Sequence, residues 1–429
     1  MVEYLKKAAA TPVGRSRAVV ETVSNILREV ENEGPPAIRR WSERLDGWNP
    51  DSFMVGRADV TRAGEALSEQ FRAHLEFSRS QVEGFARLQR QTLSELEVET
   101  LPGVTLGHRL LPVAAVGAYS PGGRYPLVAS SVMTVLVPKV AGVERVVAVA
   151  PPRDGLGIHG PQLYAMGICG ADQILCIGGV QALAALAFGV EDVEPIDMIV
   201  GPGNAYVAEA KRQLFGVVGI DLVAGPTEIA VIADESADPS LVAVDLLAQA
   251  EHGPTSPATL ITTDRSFGLA TIEATERWLT KWPTADVAGP AWHDYGQVVL
   301  CETREEAVTT SNKLAPEHLE VQTTCDEWFF EQLTNYGSLF LGSDATVAYG
   351  DKAIGVNHVL PTARAARYTG GLWVGMFIKT VTYQRVTGEG SRQVAPTVAA
   401  ISDAELMAGH ALSARVRLDP GLLATGSAG

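Results

Sequence analysis

The sequence predicts an α/β protein: two Rossmann-like α/β domains with parallel sheets, plus small helical segments at the N- and C-termini. Three observations carry this. From about residue 110, short β-branched runs alternate with helical patterns and Gly/Pro turns, the texture of βαβ units. The runs are continuously apolar, as strands are in sheets covered on both faces. Three of the strand-to-helix turns are rich in glycine.

The elements follow in order. Residues 15 to 33 read as a helix, with Val19, Val20, Val23, Ile26, Leu27 and Val30 in one apolar stripe and Gly34-Pro35-Pro36 as its stop. A second helical stretch runs from about 61 to 95, with Leu67, Phe71, Leu75, Val82, Phe85 and Leu88 expected to face inward. The strands expected next are Val113–Ala118, Arg145–Ala150, Gln173–Ile177, Asp197–Val200, Glu228–Ala233, Thr259–Thr262 and Val298–Cys301. Helices are expected over Gln181–Phe188, Asn204–Leu214 and Leu241–His252. A break near 219–227 suits a hinge between two α/β units. The tail beyond about 390 reads as short and helical, too small for a core of its own, so it must pack on something.

Composition narrows the function. The 429 residues are 46% hydrophobic, ample for a buried core. A net charge of −16 argues against a general nucleic-acid role, because a phosphate backbone would be repelled. Cys169, Cys176, Cys301 and Cys325 have no C-x-x-C spacing, which fits a reduced, cytoplasmic protein. No signal-peptide pattern opens the chain, and no apolar run is long enough for a transmembrane helix.

Four segments hold the chemistry. Gln249 and His252 lie three apart near a helix end, so they can touch one ion. Pro316-Glu317-His318 sets a carboxylate beside an imidazole; proline there suits a turn or a helix start. A histidine near neutral pKa suits proton abstraction from an alcohol, and the neighbouring carboxylate can activate water. Asp351 and His358 sit in a glycine-punctuated polar loop, and Glu405 and His410 lie on the tail helix. Taken singly, each also suits a solvated helix end or a capped turn. Together they offer zinc ligands and acid/base groups.

For a nucleotide, Gly201-Pro202-Gly203-Asn204, Ser120-Pro121-Gly122-Gly123 and Gly178-Gly179-Val180-Gln181 are three glycine turns between strand and helix. Each alone is weak, since tight βα connections need glycine anyway. Three in one unit favour a crevice at the sheet's carboxyl edge, with helix-start amides toward phosphate.

These blocks, with Leu314-Ala315-Pro316-Glu317-His318-Leu319-Glu320 and Asn357-His358-Val359-Leu360-Pro361-Thr362, resemble the histidinol dehydrogenase family over nearly the whole chain. The resemblance implies two NAD-dependent oxidations at one site, alcohol to aldehyde to carboxylate. It places Gln249, His252, Asp351 and His410 as zinc ligands, with His410 lent by the neighbouring subunit of a homodimer. It makes His318 the general base and Glu317 the residue that activates water. Tyr119, Gln181 and Asn204 fall at NAD contacts; Thr227, His318, His358 and Glu405 fall at substrate contacts. The implied layout is an N-terminal segment (1–28), a first α/β domain carrying the metal and catalytic residues (29–118 with 228–385), an NAD-binding domain (119–227) and a tail packing on the partner subunit (386–429).

The chain departs from the histidinol-oxidising pattern in Thr227, where serine is usual, and in Arg364, Trp373, Gly375 and Met376. This version resembles the paralogues that oxidise sulfopropanediol (2,3-dihydroxypropane-1-sulfonate) to sulfolactate. A sulfonate is a permanent anion and wants directed cationic donors. Arg364 is the expected contact. Arg367 and Lys379 also occur in histidinol-type members and discriminate little. Histidinol oxidation is the alternative substrate reading. A metal-binding protein without catalysis is a third, but it leaves Glu317-His318 and the glycine turns unexplained.

Overall fold

The β-branched runs of the sequence become strands in the computed structural model, which describes residues 2–10, 16–223 and 225–425. Among the described residues the strands are β1 (Glu3–Lys6), β2 (Leu96–Leu101), β3 (Val104–Pro112), β4 (Ala115–Tyr119), β5 (Arg145–Ala150), β6 (Gln173–Cys176), β7 (Met198–Val200), β8 (Gly219–Ile220), β9 (Ile229–Ala233), β10 (Ala258–Thr262), β11 (Gln297–Leu300), β12 (His318–Gln322), β13 (Ser338–Leu341) and β14 (Ile378–Val386). They form three sheets. Five parallel strands run in the order β6-β5-β4-β7-β8. Six run in the order β1-β11-β10-β9-β12-β13, parallel except for the antiparallel edge strand β1. The order β14-β3-β2 makes a small antiparallel sheet.

The chain divides into two compact units, residues 1–90 with 113–377, and residues 91–112 with 378–429. Both parallel sheets belong to the first. The five-stranded sheet packs against helices Arg17–Glu33 and Gly179–Phe188 through Val23, Ile26, Val149, Leu183 and Leu186. Each face of the six-stranded sheet has its own apolar layer, one around Val231, Leu246 and Trp292, the other around Ile232, Leu319 and Phe329. This two-sided cover is why its strands read as uninterrupted apolar runs. In the second unit, helices Gly388–Ala404 and Ala408–Leu418 pack on each other through Ala395, Ala399 and Ala414. The tail thus has a small alanine seam and an attached sheet of its own.

Three expectations need correction. The stretch from 61 to 95 is two helices, Arg57–Glu65 and Glu69–Gln91. In the second, Leu75 and Val82 are buried, but Phe71, Phe85 and Leu88 are exposed. The helix expected to reach His252 ends at Ala250, so His252 lies beyond it. Pro316-Glu317 does not start a helix: it follows Ala315, whose φ of 48° closes helix Arg304–Leu314, and His318 opens β12. No described helix is long and apolar enough to cross a membrane.

Candidate active site

A cleft of about 540 Å³ joins the carboxyl edge of the five-stranded sheet to the amino edge of the six-stranded one. On the first side Tyr119 ends β4, Gly179 opens a helix after β6, and the Gly201–Gly203 turn follows β7. That is where open parallel sheets bind ligands. Asn204 caps helix Ala205–Leu214; its Oδ1 accepts from the amides of Tyr206 (3.0 Å) and Val207 (3.1 Å). The buried Tyr119 hydroxyl accepts from the Gly179 amide at 3.4 Å, and burial pushes its pKa up to about 12. Gln181 is wholly buried and does not line the cleft; its Nε2 donates to Asp46 Oδ2 (2.8 Å), which does line it. Burial raises the Asp46 carboxyl above its ordinary range.

The second side holds the acid/base groups. His318 is buried, and its Nδ1 lies 3.0 Å from the Glu228 carbonyl oxygen. A carbonyl can only accept, so Nδ1 carries a proton, and Nε2 is the nitrogen that holds the lone pair once the ring is neutral. Nε2 is buried with no hydrogen-bond partner, 3.7 Å from Asp351 Oδ1. Burial disfavours the charged ring, but Glu317 and Asp351 outweigh it and raise His318 to about 9. Glu317 Oε2 accepts from the Thr227 hydroxyl (2.5 Å) and the Glu228 amide (3.0 Å). Burial still raises its pKa, and Asp351 adds to the effect.

Thr227 in turn accepts from Gln249 Nε2. That leaves Gln249 Oε1, the atom of an amide that binds a cation, outside this chain of bonds. Burial keeps His252 neutral by lowering its pKa. Asp351 stays ionised: burial opposes this, but His318 and His358 hold its carboxyl well below the usual range. An amide oxygen, a neutral imidazole and a carboxylate in one cleft are a fitting donor set for zinc. Among the described residues, no group of three His, Cys, Asp or Glu could hold a metal. The proposed set does not rest on such a group, since one donor is an amide and His410 lies in the second compact unit. His358 is clamped by Ser130 Oγ on Nε2 (2.7 Å) and the Asp351 carbonyl on Nδ1 (3.0 Å); burial lowers it to about 4.

The structure therefore brings Tyr119, Asn204, Thr227, Gln249, His252, Glu317, His318, Asp351 and His358 to one cleft. Glu405 and His410 are exposed on the tail of the second unit. Arg364, expected at the substrate, lines a neighbouring hollow of about 520 Å³ with Lys7, Tyr295 and Gln297. Two successive left-handed residues, Ala363 (φ 52°) and Arg364 (φ 67°), turn the chain there. The cations that line the cleft itself are Arg124 and Lys352. Sequence reasoning passed over both, along with Asp46, Ser130 and Glu228. No motif marks Ser130 inside its helix. Glu228 sits beside Thr227 in sequence; burial and Glu317 raise its carboxyl to about 7.

Known proteins resemble this chain over nearly its whole length. The family model described as histidinol dehydrogenase matches residues 10–418. A histidinol dehydrogenase homolog of Shouchella clausii is 48% identical over 97% of this chain and 99% of its own length. A sulfopropanediol 3-dehydrogenase of Ruegeria pomeroyi is 46% identical over 97% of this chain and 96% of its own. The crystal structure of histidinol dehydrogenase from Elizabethkingia anophelis superposes with a TM-score of 0.90 at 32% identity, covering 96% of this chain and 95% of that one. The chain belongs to the histidinol dehydrogenase family.

Proposed function

We propose that this protein is a zinc-dependent, NAD-linked dehydrogenase that oxidises 2,3-dihydroxypropane-1-sulfonate through the aldehyde to sulfolactate. The observation that carries the chemistry is His318 Nε2, a buried ring nitrogen without a hydrogen-bond partner in a cleft lined by Asp351, Gln249 and His252. Zinc, held by Gln249, His252, Asp351 and the His410 of a twin subunit, would fix the substrate's polar end, and NAD would accept hydride. His318 Nε2 takes the hydroxyl proton as hydride leaves the carbon. Glu317, raised by burial, receives a proton from the water that hydrates the aldehyde. A second hydride then leaves the hydrate, so one alcohol yields one carboxylate and two NADH. Glu405 joins His410 at the substrate in the homodimer. An acidic, cysteine-poor chain fits the reduced cytoplasm.

Two things support the sulfonate: the Ruegeria pomeroyi relative, and the position of Lys352 and Arg124 in the cleft. Lys352 Nζ lies 3.5 Å from Asp351 Oδ2, and its side chain is 53% exposed, so donors remain for an anion. The experiment is a substrate screen with zinc and NAD. Two NADH per sulfopropanediol, and none with histidinol, is the expected result. The reverse moves the chain to histidinol oxidation and leaves the site as described.

Lys352→Met is expected to raise KM for the sulfonate roughly tenfold, the equivalent of about 1.4 kcal/mol, and to leave KM for an uncharged diol within about twofold. Arg364→Ala should leave both KM values close to those of the native chain. A large, sulfonate-specific effect at Arg364, with none at Lys352, would return the anion to the arginine.

A further inference from the structure

Strand alternation puts His318, Glu320 and Gln322 on one face of β12, while Leu319 and Val321 enter the apolar layer behind it. All three polar side chains are buried. They face two helices that hold site residues. Helix Pro239–Ala250 presents Asp245, one turn before Gln249. Helix Val347–Lys352 carries Asp351, and its N-terminus meets the same spot. There Glu320 Oε1 accepts from the Val347 amide (3.0 Å), and Asp245 Oδ1 accepts from the hydroxyl of the cap residue Thr346 (3.1 Å). Gln322 Nε2 donates to Asp245 Oδ2 (3.1 Å) and Glu320 Oε2 (3.2 Å). One amide nitrogen thus draws an oxygen of each carboxyl group to itself, and both groups are buried. Two buried carboxyl groups brought this close do not both stay ionised.

We propose that Asp245 and Glu320 are positioning residues that share one proton, and that the joined pair clamps β12 and the two helices so that His318, Gln249 and Asp351 keep their spacing. The roles of those three residues rest on the function proposed above; the clamp itself does not. Buried networks of this kind are costly when incomplete, which makes them stiff when complete. Outer-shell partners of metal ligands commonly govern metal affinity.

The protonation has a definite sign. Burial and Asp245 raise Glu320 to about 8, and burial raises Asp245 as well. The groups facing Glu320 are Asp245 from one helix, the Val347 amide and Thr346 hydroxyl from the other, and Gln322 and His318 on its own strand. The folded state holds a proton that the unfolded chain releases at ordinary carboxyl pKa. Stability is therefore expected to fall as pH rises from the carboxyl range through about 8.

Glu320→Gln tests this in the full-length protein. The amide oxygen can accept from Val347 and the amide N–H can donate to Asp245, so strand and helices stay linked with no proton to lose, and only the bond from Gln322 Nε2 is given up. At pH 7 its zinc Kd, from chelator competition, should match the native protein within about threefold. Glu320→Met should weaken zinc by roughly 10- to 100-fold. Between pH 7 and 9.5 the thermal midpoint of the native protein should fall more steeply than that of Glu320→Gln. If Glu320→Gln and Glu320→Met lose zinc equally, or if Glu320→Met keeps native affinity, the positioning role is wrong. If the native and Glu320→Gln midpoints follow pH in parallel, there is no shared proton. A native protein that binds no zinc refutes the metal site, and the midpoint comparison still decides the clamp.

Discussion

His318→Asn is expected to lower kcat by about 10²- to 10⁴-fold while bound zinc stays at its native stoichiometry. Asparagine can place Nδ2 where Nδ1 now meets the Glu228 carbonyl, so the local bond survives and only the Nε2 lone pair is lost. The remaining groups of the cleft are left intact. The pH profile gives a second readout. In the proposed role as base His318 must be neutral, and Glu317 with Asp351 hold it toward the protonated form against the effect of burial, at about 9. The zinc proposed at Asp351 would oppose the protonated ring and draw that pKa down. The native kcat should thus rise with pH, and the rise attributable to this group should vanish in His318→Asn. Turnover within a few fold of native, with the rise intact, would hand the base role to another group; loss of zinc along with activity would make His318 a ligand.

Much of this fold was legible because its strands are buried on both faces. Each expected strand from 113 to 301 is present, displaced at an end by two residues or fewer. What stayed hidden has physical reasons. β12 reads His-Leu-Glu-Val-Gln, with three polar residues on a face where apolar ones are expected, so hydropathy gave no strand. Their polar groups meet Asp245, Val347 and the Glu228 carbonyl, partners that lie far away in sequence, while His318 Nε2 meets none. β2, β3 and β14 form a largely exposed antiparallel sheet whose side chains lack the apolar density of the rest. Phe71, Phe85 and Leu88 keep a helical spacing yet stand on the surface, because periodicity marks a face without saying what covers it.

The site divides in the same way. Gln249, His252, Glu317, His318, Asp351 and His358 were findable because each lies in a motif. Arg364 was chosen for its charge, and charge alone does not fix direction: two left-handed residues put it in the hollow next door. Lys352 was passed over although it adjoins Asp351 in sequence.

Lys211→Met should cost about 3–5 kcal/mol of unfolding free energy, the largest stability loss expected of any single change described for this protein. Lys211 is 1% exposed, an unusual place for a lysine. Its Nζ pairs with the Asp221 carboxylate and donates to the Gly201 carbonyl oxygen at 2.9 Å. Asp221 also accepts from the Gly201 amide (2.8 Å) and the Leu222 amide (2.6 Å). Gly201 has a φ of 120°, and a Cβ there would collide with the Tyr119 carbonyl. One buried ion pair therefore holds both polar groups of a glycine that no other residue can replace, at the turn that lines the cleft ahead of Asn204. Methionine keeps the volume and removes the charge, which strands a buried carboxylate with two amide donors. Urea titration should show the loss, and NAD affinity should fall with it because the turn loosens. Removing both charges, in Lys211→Met with Asp221→Asn, should recover part of the stability, since the uncompensated charge is the main cost. A loss under about 1 kcal/mol for the single variant would mean that water reaches Asp221 and that the turn is held by its backbone alone.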